Sequence, residues 1–425
     1  MISPALAHPL LVLIVSLSIV LMLIRPREIA EAYWIGGGVF LLLILRLVPL
    51  LLAGRAVTQA LDVCLFLVGM MLLSELAREH GVFDWLSSLA MRRAHGSRSR
   101  LFALVYAAGT MVTIFMSNDA TAVVLTPAIL TAVRKAKVEP LPYLLVCAFI
   151  ANAASFLLPI SNPANLVVFH NQMPPLGKWL LSYGIPCFLS IAATFLVLRW
   201  FFRKQLCAGI EGTVEAKPLG REGVLVLCGL ALVVAVLLAA SSFGKNLGLP
   251  TCLAALATTG AVSIRARRNP LVLAREISWK TLFLVAGLFV MVDAIESTGA
   301  MQLTKQWSAW AGTLGSTSGT LITGFAVGVA NNIVNNLPLA LIAGSTLQAT
   351  HASRMVGAAV LIGVDLGPNL SITGSLATIL WLIALRKERL DVSFWDFFKI
   401  GVVAMPVALL ASLGGAILMH VWFSI

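Results

Sequence analysis

Apolar residues run along this chain in blocks long enough to cross a bilayer. They lie near residues 9–24, 32–53, 60–77, 141–170, 179–203, 223–241, 248–264, 280–297, 354–385 and 397–423, and a spanning helix needs about 20 mostly apolar residues. Two further apolar blocks, 101–134 and 318–348, are cut in the middle by Ser117-Asn118-Asp119 and by Asn331-Asn332-Ile333-Val334-Asn335-Asn336. Each half is only marginally long enough to cross, which predicts re-entrant hairpins of the kind tolerated where they line a cavity. The first block, Leu10 to Ile24, has no basic stretch before it and no small-residue cleavage site after it, and reads as a first span that is retained.

Sliding the chain by 218 positions lays Gly69, Glu75, Gly81 and Asn118 over Gly287, Asp293, Gly299 and Asn336. A shift of 212 lays Leu158-Pro159-Ile160-Ser161 over Leu370-Ser371-Ile372-Thr373. Five spans separate equivalent elements, an odd number, so the halves lie in opposite orientations. The expected fold is an all-α polytopic membrane protein of two inverted repeats, each of about five spans plus one re-entrant hairpin. The first repeat covers 1–203 with hairpin 101–134, the second covers 223–425 with hairpin 318–348, and 204–222 is a cytoplasmic linker.

Composition removes other classes. With 59% hydrophobic and 11% charged residues, the chain departs from the roughly 45–50% and 25% of soluble domains, and leaves no room for a soluble catalytic or nucleotide-binding domain. The net charge of +12 belongs to loops and not to a nucleic-acid surface. Only Arg46, Arg55, Lys178, Lys245, Lys305 and Arg354 fall on one side of the spans, and the rest of the 30 basic residues fall on the other. The basic-rich side is then cytoplasmic, with both termini outside and the protein in the inner (plasma) membrane. Cys64, Cys147, Cys187, Cys207, Cys228 and Cys252 are scattered without CxxC spacing, which indicates neither a disulfide framework nor a metal site. No cofactor is expected.

Polar groups in hydrocarbon cost several kcal/mol unless satisfied, so four clusters stand out. They are Ser117-Asn118-Asp119-Ala120-Thr121, Pro159-Ile160-Ser161-Asn162-Pro163-Ala164-Asn165, Asn335-Asn336-Leu337-Pro338, and Asp365 to Ser375 with Asn369 and Thr373 inside it. Two lie at hairpin tips and two inside long spans, where proline breaks the backbone ladder and frees carbonyls and amides to face a ligand. The candidate binding residues are Ser117, Asn118, Thr121, Ser161, Asn162, Asn165, Asn335, Asn336, Asn369, Thr373 and Ser375. Neutral donors and acceptors in that number suit a small polar solute. Carboxylates within spans default to ion pathways or proton relays. Asp119 and Asp365 adjoin the clusters from opposite halves, and Glu75 and Asp293 are repeat mates one layer away. Asp62 and Glu296 read as capping or solvated residues near span ends.

At these clusters the chain resembles the ArsB-type arsenite efflux permeases of the ion transporter superfamily. The pieces are Ser117-Asn118-Asp119-Ala120-Thr121 with Leu125-Thr126-Pro127, Leu158 to Leu166, Val334-Asn335-Asn336-Leu337-Pro338, and Gly363-Val364-Asp365-Leu366-Gly367-Pro368-Asn369-Leu370 followed by Gly374-Ser375-Leu376-Ala377-Thr378. The first is shared with sodium/proton antiporters and carboxylate carriers, and the last is more typical of the arsenite branch. Asp365 stands where many members carry Asn. The resemblance implies export of arsenite or antimonite in exchange for protons, and in some systems coupling to a cytoplasmic ArsA-type ATPase. Arsenous acid is neutral near pH 7 and offers three hydroxyls, so an amide and hydroxyl cavity replaces its hydration without burying net charge. A sodium/proton antiporter or a carboxylate carrier of the same architecture is the alternative. An intramembrane enzyme finds no HExxH and no serine-histidine constellation to support it.

Overall fold

The computed structural model describes residues 4–169, 173–210, 218–267, 269–299 and 301–423, and apart from one bridge between Ser97 and Gly209 their regular structure is helical. The first half holds α1 (Pro4–Ile24), α2 (Glu31–Ile44), α3 (Leu50–Glu79), α4 (Val82–Arg93), α5 (Arg98–Phe115), α6 (Thr126–Lys135), α7 (Leu141–Ala153), α8 (Pro163–Phe169) and α9 (Leu176–Phe201). A short α10 (Arg203–Leu206) leads into the linker, where residues 211–217 fall outside the described residues. The second half holds α11 (Arg221–Ser242), α12 (Gly248–Ala266), α13 (Pro270–Glu276), α14 (Trp279–Ser297), α15 (Gln302–Thr313), α16 (Ser316–Val334), α17 (Asn336–Ala349), α18 (Arg354–Leu366), α19 (Leu376–Lys387) and α20 (Phe394–Phe423).

The halves match element by element, with α3 answered by α13 and α14 together. Helices α4 and α15 are both 12 residues long, and α7 and α18 are both 13. Gly81 and Gly299 turn the chain at φ 71° and 76°, before α4 and before α15. Only glycine adopts that left-handed geometry without strain. Pro186 and Pro406 sit inside the corresponding helices α9 and α20. The halves are interleaved: α3 packs on α12 while its counterpart α14 packs on α2, and α9 packs on α20. Asp62 is a capping residue, its Oδ1 accepting the Gly248 N–H at 2.9 Å at the start of α12.

Among the described residues six helices, α1, α3, α9, α11, α12 and α20, are each long and apolar enough to cross a bilayer unaided. Three of the apolar windows are interrupted. The apolar stretch 32–53 is not one helix, because α2 stops at Ile44 and the chain restarts as α3 at Leu50 behind Pro49. Its 14 residues reach roughly 21 Å at ~1.5 Å per residue, short of a ~30 Å hydrocarbon core. The stretches 141–170 and 354–385 are broken: α7 and α8 are parted by extended residues and a 3-10 turn at Pro159–Ser161, and α18 and α19 by turns at Gly367–Asn369 and Ile372–Gly374. Equivalent residues restart each helix. Asn162, extended at φ −146°, accepts the Ala164 N–H at 3.0 Å, and Ser375, extended at φ −142°, accepts the Ala377 N–H at 3.1 Å.

Both polar-cut segments fold back on themselves. A Cβ on Gly109 would lie 3.7 Å from the Thr121 methyl and 4.0 Å from a Leu125 methyl, a proximity that a straight helix rising ~1.5 Å per residue forbids. In the second half, Thr346 meets Thr304 at 2.9 Å and Thr350 meets Ser308 at 3.1 Å, which returns the far end of α17 to α15. Just past the first tip, residues 120–125 wind as a π turn. Pro127 has no N–H to give the fourth carbonyl before it, and the Thr126 hydroxyl donates five residues back to Thr121 O at 3.0 Å instead.

A glycine seam seats the second hairpin on the broken helix. A Cβ on Gly363 would lie 2.7 Å from Gly324 O, and one on Gly367 would lie 2.5 Å from Gly328 O. These small residues let α16 and α18 approach backbone to backbone. Gly367→Val therefore drives a side chain into a backbone carbonyl that has nowhere to move, at a cost of about 1–3 kcal/mol or more. Thermal unfolding of the purified protein should fall by several degrees in that variant and stay unchanged in Gly357→Ala, since nothing lies within 4 Å of a Cβ there.

Candidate functional site

All four broken ends meet at one cavity of about 20 Å³. It is lined by Asn118 from the first hairpin tip, Asn336 from the second, Asn162 and Ser375 from the two helix breaks, with Asp119 and Thr281 beside them. Of its polar atoms, Asn118 Oδ1 is engaged by the Asp119 N–H at 2.9 Å, and Asn336 Oδ1 is buried with no partner. Asn162 is fixed at both ends, its Oδ1 capping α8 and its Nδ2 donating to Asp365 Oδ1 at 2.6 Å. The cavity thus presents amide donors from Asn118 and Asn162, a free acceptor on Asn336, a hydroxyl on Ser375 and one carboxylate. No lysine or arginine is among its described lining.

This cavity continues into a larger one of about 150 Å³ through shared walls at Leu67, Asp119, Pro163, Thr281 and Leu376. Ser117 and Glu75 line the larger space. Glu75 also binds Arg78, whose Nε lies 2.9 Å from Oε2. At the symmetry-related flank of the second hairpin, the space around Asn335, Leu284 and Leu288 is only about 10 Å³. The two flanks of one pseudo-symmetric site are therefore unequal: it is open beside the first hairpin and closed beside the second.

The remaining candidates brace the breaks and do not line the cavity. The Ser161 hydroxyl donates to Ile114 O at 2.9 Å, and Asn165 Nδ2 donates to Ser155 O at 2.8 Å. Thr121 is fully buried within the first hairpin, 2.8 Å from Thr113 Oγ1. Asn335, held at φ 78° on the second tip, donates to Thr373 O at 3.1 Å. Thr373 in turn donates to Asn332 O at 3.3 Å. Asn369 lies one layer behind, its Oδ1 accepting from Asn152 Nδ2 at 3.0 Å and its own amide donating to Phe149 O at 3.1 Å. Asp293 is half-buried on α14 and lines neither cavity.

Asp365 is buried behind the cavity wall, where its Oδ1 accepts from both Asn162 and the Ser155 hydroxyl while Oδ2 has no partner. It is a strut between halves: a carboxylate on α18 gathers both sides of the break between α7 and α8. Counting along the matched helices, Asp365 occupies the place that Asn152 holds in α7, and Asn152 reaches the other way to Asn369 and, at 3.5 Å, Thr378. Ser155, Asn152, Asn331, Asn332 and Thr281 were not among the candidates. Asn331 and Asn332 tie α16 to Val364 O and Gly367 O, and their place in the polar cut 331–336 is the sequence signal that marks them.

The profile of the citrate transporter family, CitMHS, matches residues 56–365. The arsenical pump membrane protein of Escherichia coli K12 is 28% identical over 364 residues, covering 80% of this chain and 82% of that protein. That of Yersinia enterocolitica is 26% identical over 356 residues, with the same coverage. Among solved structures, the YdaH transporter of Alcanivorax borkumensis superposes with a TM-score of 0.60 at 17% identity, covering 88% of this chain and 87% of that one.

Proposed function

The chain belongs to the citrate transporter family, CitMHS, a family of membrane transporters and not of enzymes, and from that premise we propose that it exports neutral arsenous or antimonous acid from the cytoplasm in exchange for protons. One observation carries this reading: the cavity where both halves meet holds neutral amides, a hydroxyl and the Asp119 carboxylate, with no basic side chain in its described lining. A carboxylate substrate would enter that space against Asp119 with no counter-charge, and like charges at such range in low dielectric are costly. A trihydroxylated neutral solute donates to Asn336 Oδ1 and Asp119 and accepts from Asn118, Asn162 and Ser375, so every orphaned group gains a partner. The likeness to arsenical pump membrane proteins supports the same substrate class. The basic-rich face is the cytoplasmic one and both termini lie outside, so the 150 Å³ opening beside the first hairpin is the cytoplasmic entrance, and Asp119 is the proton carrier.

The test is uptake into everted vesicles bearing the protein. Arsenite should concentrate inside when the lumen is acidified and equilibrate when the gradient is collapsed, while citrate uptake stays at the background of empty vesicles. Gradient-independent arsenite equilibration, or citrate uptake above that background, overturns the reading in favour of a channel or a carboxylate carrier.

A further inference from the structure

A larger cavity lies elsewhere, about 680 Å³ between α8, α9, α17, α18 and α20. Lys178, Arg354 and His420 line it, and no carboxylate does among the described residues. Two of the few basic residues on the basic-poor face thus converge on one space. Both are exposed, and neither makes an ion pair among the described residues. A second cavity of about 440 Å³ joins it at Ser353, Arg354, Met355 and His420. A neutral solute has no use for this charge, so the central site does not explain it.

The placement also runs against two local rules at once. Arg354 is the first residue of α18 and Lys178 lies in the first turn of α9, and neither turn carries an acid. Helix starts bear partial positive charge, which disfavours a nearby cation by ~0.3–1 kcal/mol. The inverted repeat supplies the internal comparison. The equivalent helices α7 and α20 begin on the opposite, basic-rich face, where Glu139 precedes α7 and Asp396 stands in the first turn of α20. Acids therefore occupy these starts where sidedness favours bases, and bases occupy them where sidedness favours none. A pattern that breaks local preference twice in one cavity marks a site selected for something else.

We propose that this vestibule binds a small, multiply charged anion, an oxyanion or a polycarboxylate, between Lys178 and Arg354. Guanidinium and ammonium groups at helix starts suit such a ligand, since the first-turn N–H groups add to the same field. The test uses the purified full-length protein in nanodiscs with sulfate and citrate as probes, and chloride at matched ionic strength as the control. Each probe is titrated while thermal unfolding and binding heat are followed. Saturable stabilisation by at least one probe, absent in chloride and weakened about tenfold or more in Lys178→Gln/Arg354→Gln, is the expected result. A tighter citrate response identifies the polycarboxylate, and a tighter sulfate response the inorganic oxyanion. Stabilisation that is not saturable, or that is unchanged in the double variant, overturns the proposal. Both side chains are exposed, so the variant's unfolding temperature in chloride should match the parent, and the two single variants serve as the comparison if it does not.

Discussion

Everted vesicles bearing Asp119→Asn should no longer concentrate arsenite under an imposed pH gradient, while exchange of internal for external arsenite continues within a few-fold of the parent. With one proton per solute, a gradient of two pH units is worth roughly 2.7 kcal/mol, or about a hundredfold accumulation, and the variant brings that ratio to about one. The argument rests on where the carboxylate lies. Asp119 is the acidic residue common to the tight cavity and its opening, so a proton entering and a solute leaving meet at the same atoms. Asparagine keeps the size, and the backbone bond from Asp119 N–H to Asn118 Oδ1 is untouched. Titration is lost and the shape is kept. Glu75 shares the opening but is engaged with Arg78, and Asp293 lines neither space. An Asn variant that still concentrates arsenite against its gradient would pass the coupling role to one of the other carboxylates.

The repeat and the four breaks were legible because both are local or periodic signals. A proline beside an asparagine announces a broken ladder wherever the rest of the chain goes, and Gly81 and Gly299 announce the same turn in two halves. Partners across the fold were not legible. Ser155 sits in an apolar run, and only the structure brings it to Asp365, 210 residues away. Asn369 and Ser375 show the same limit from the other side. Both lie in one polar run, yet Ser375 caps the start of α19 and lines the cavity, while Asn369 sits in the turn after α18 and bonds to Asn152. The apolar window also hid the end of α2, because Leu47, Val48, Leu50, Leu51 and Leu52 carry the apolar run on past Arg46, where the chain turns with φ 54°, and past Pro49.

Asp365 separates a structural role from a coupling role, and two substitutions divide them. Its Oδ1 is the shared acceptor for the Ser155 hydroxyl and Asn162 Nδ2, and Oδ2 is buried without a partner. Asp365→Asn keeps the acceptor and places its amide where an orphaned oxygen already stood, so the number of unsatisfied atoms does not rise. That variant should fold with an unfolding temperature close to the parent and retain at least about half of the proton-driven arsenite uptake. Asp365→Leu removes the acceptor and strands the buried Asn162 amide at about 1–3 kcal/mol, while the Ser155 hydroxyl keeps Asn152 O at 2.7 Å as its acceptor. It also releases Asn162, the residue that both caps α8 and faces the solute. Uptake should then fall to background, with binding lost as well as coupling, which is the opposite signature to Asp119→Asn. If Asp365→Asn instead loses proton-driven uptake while exchange survives, the proton rides on the buried carboxylate, and the open one beside the hairpin tip serves only to meet the solute.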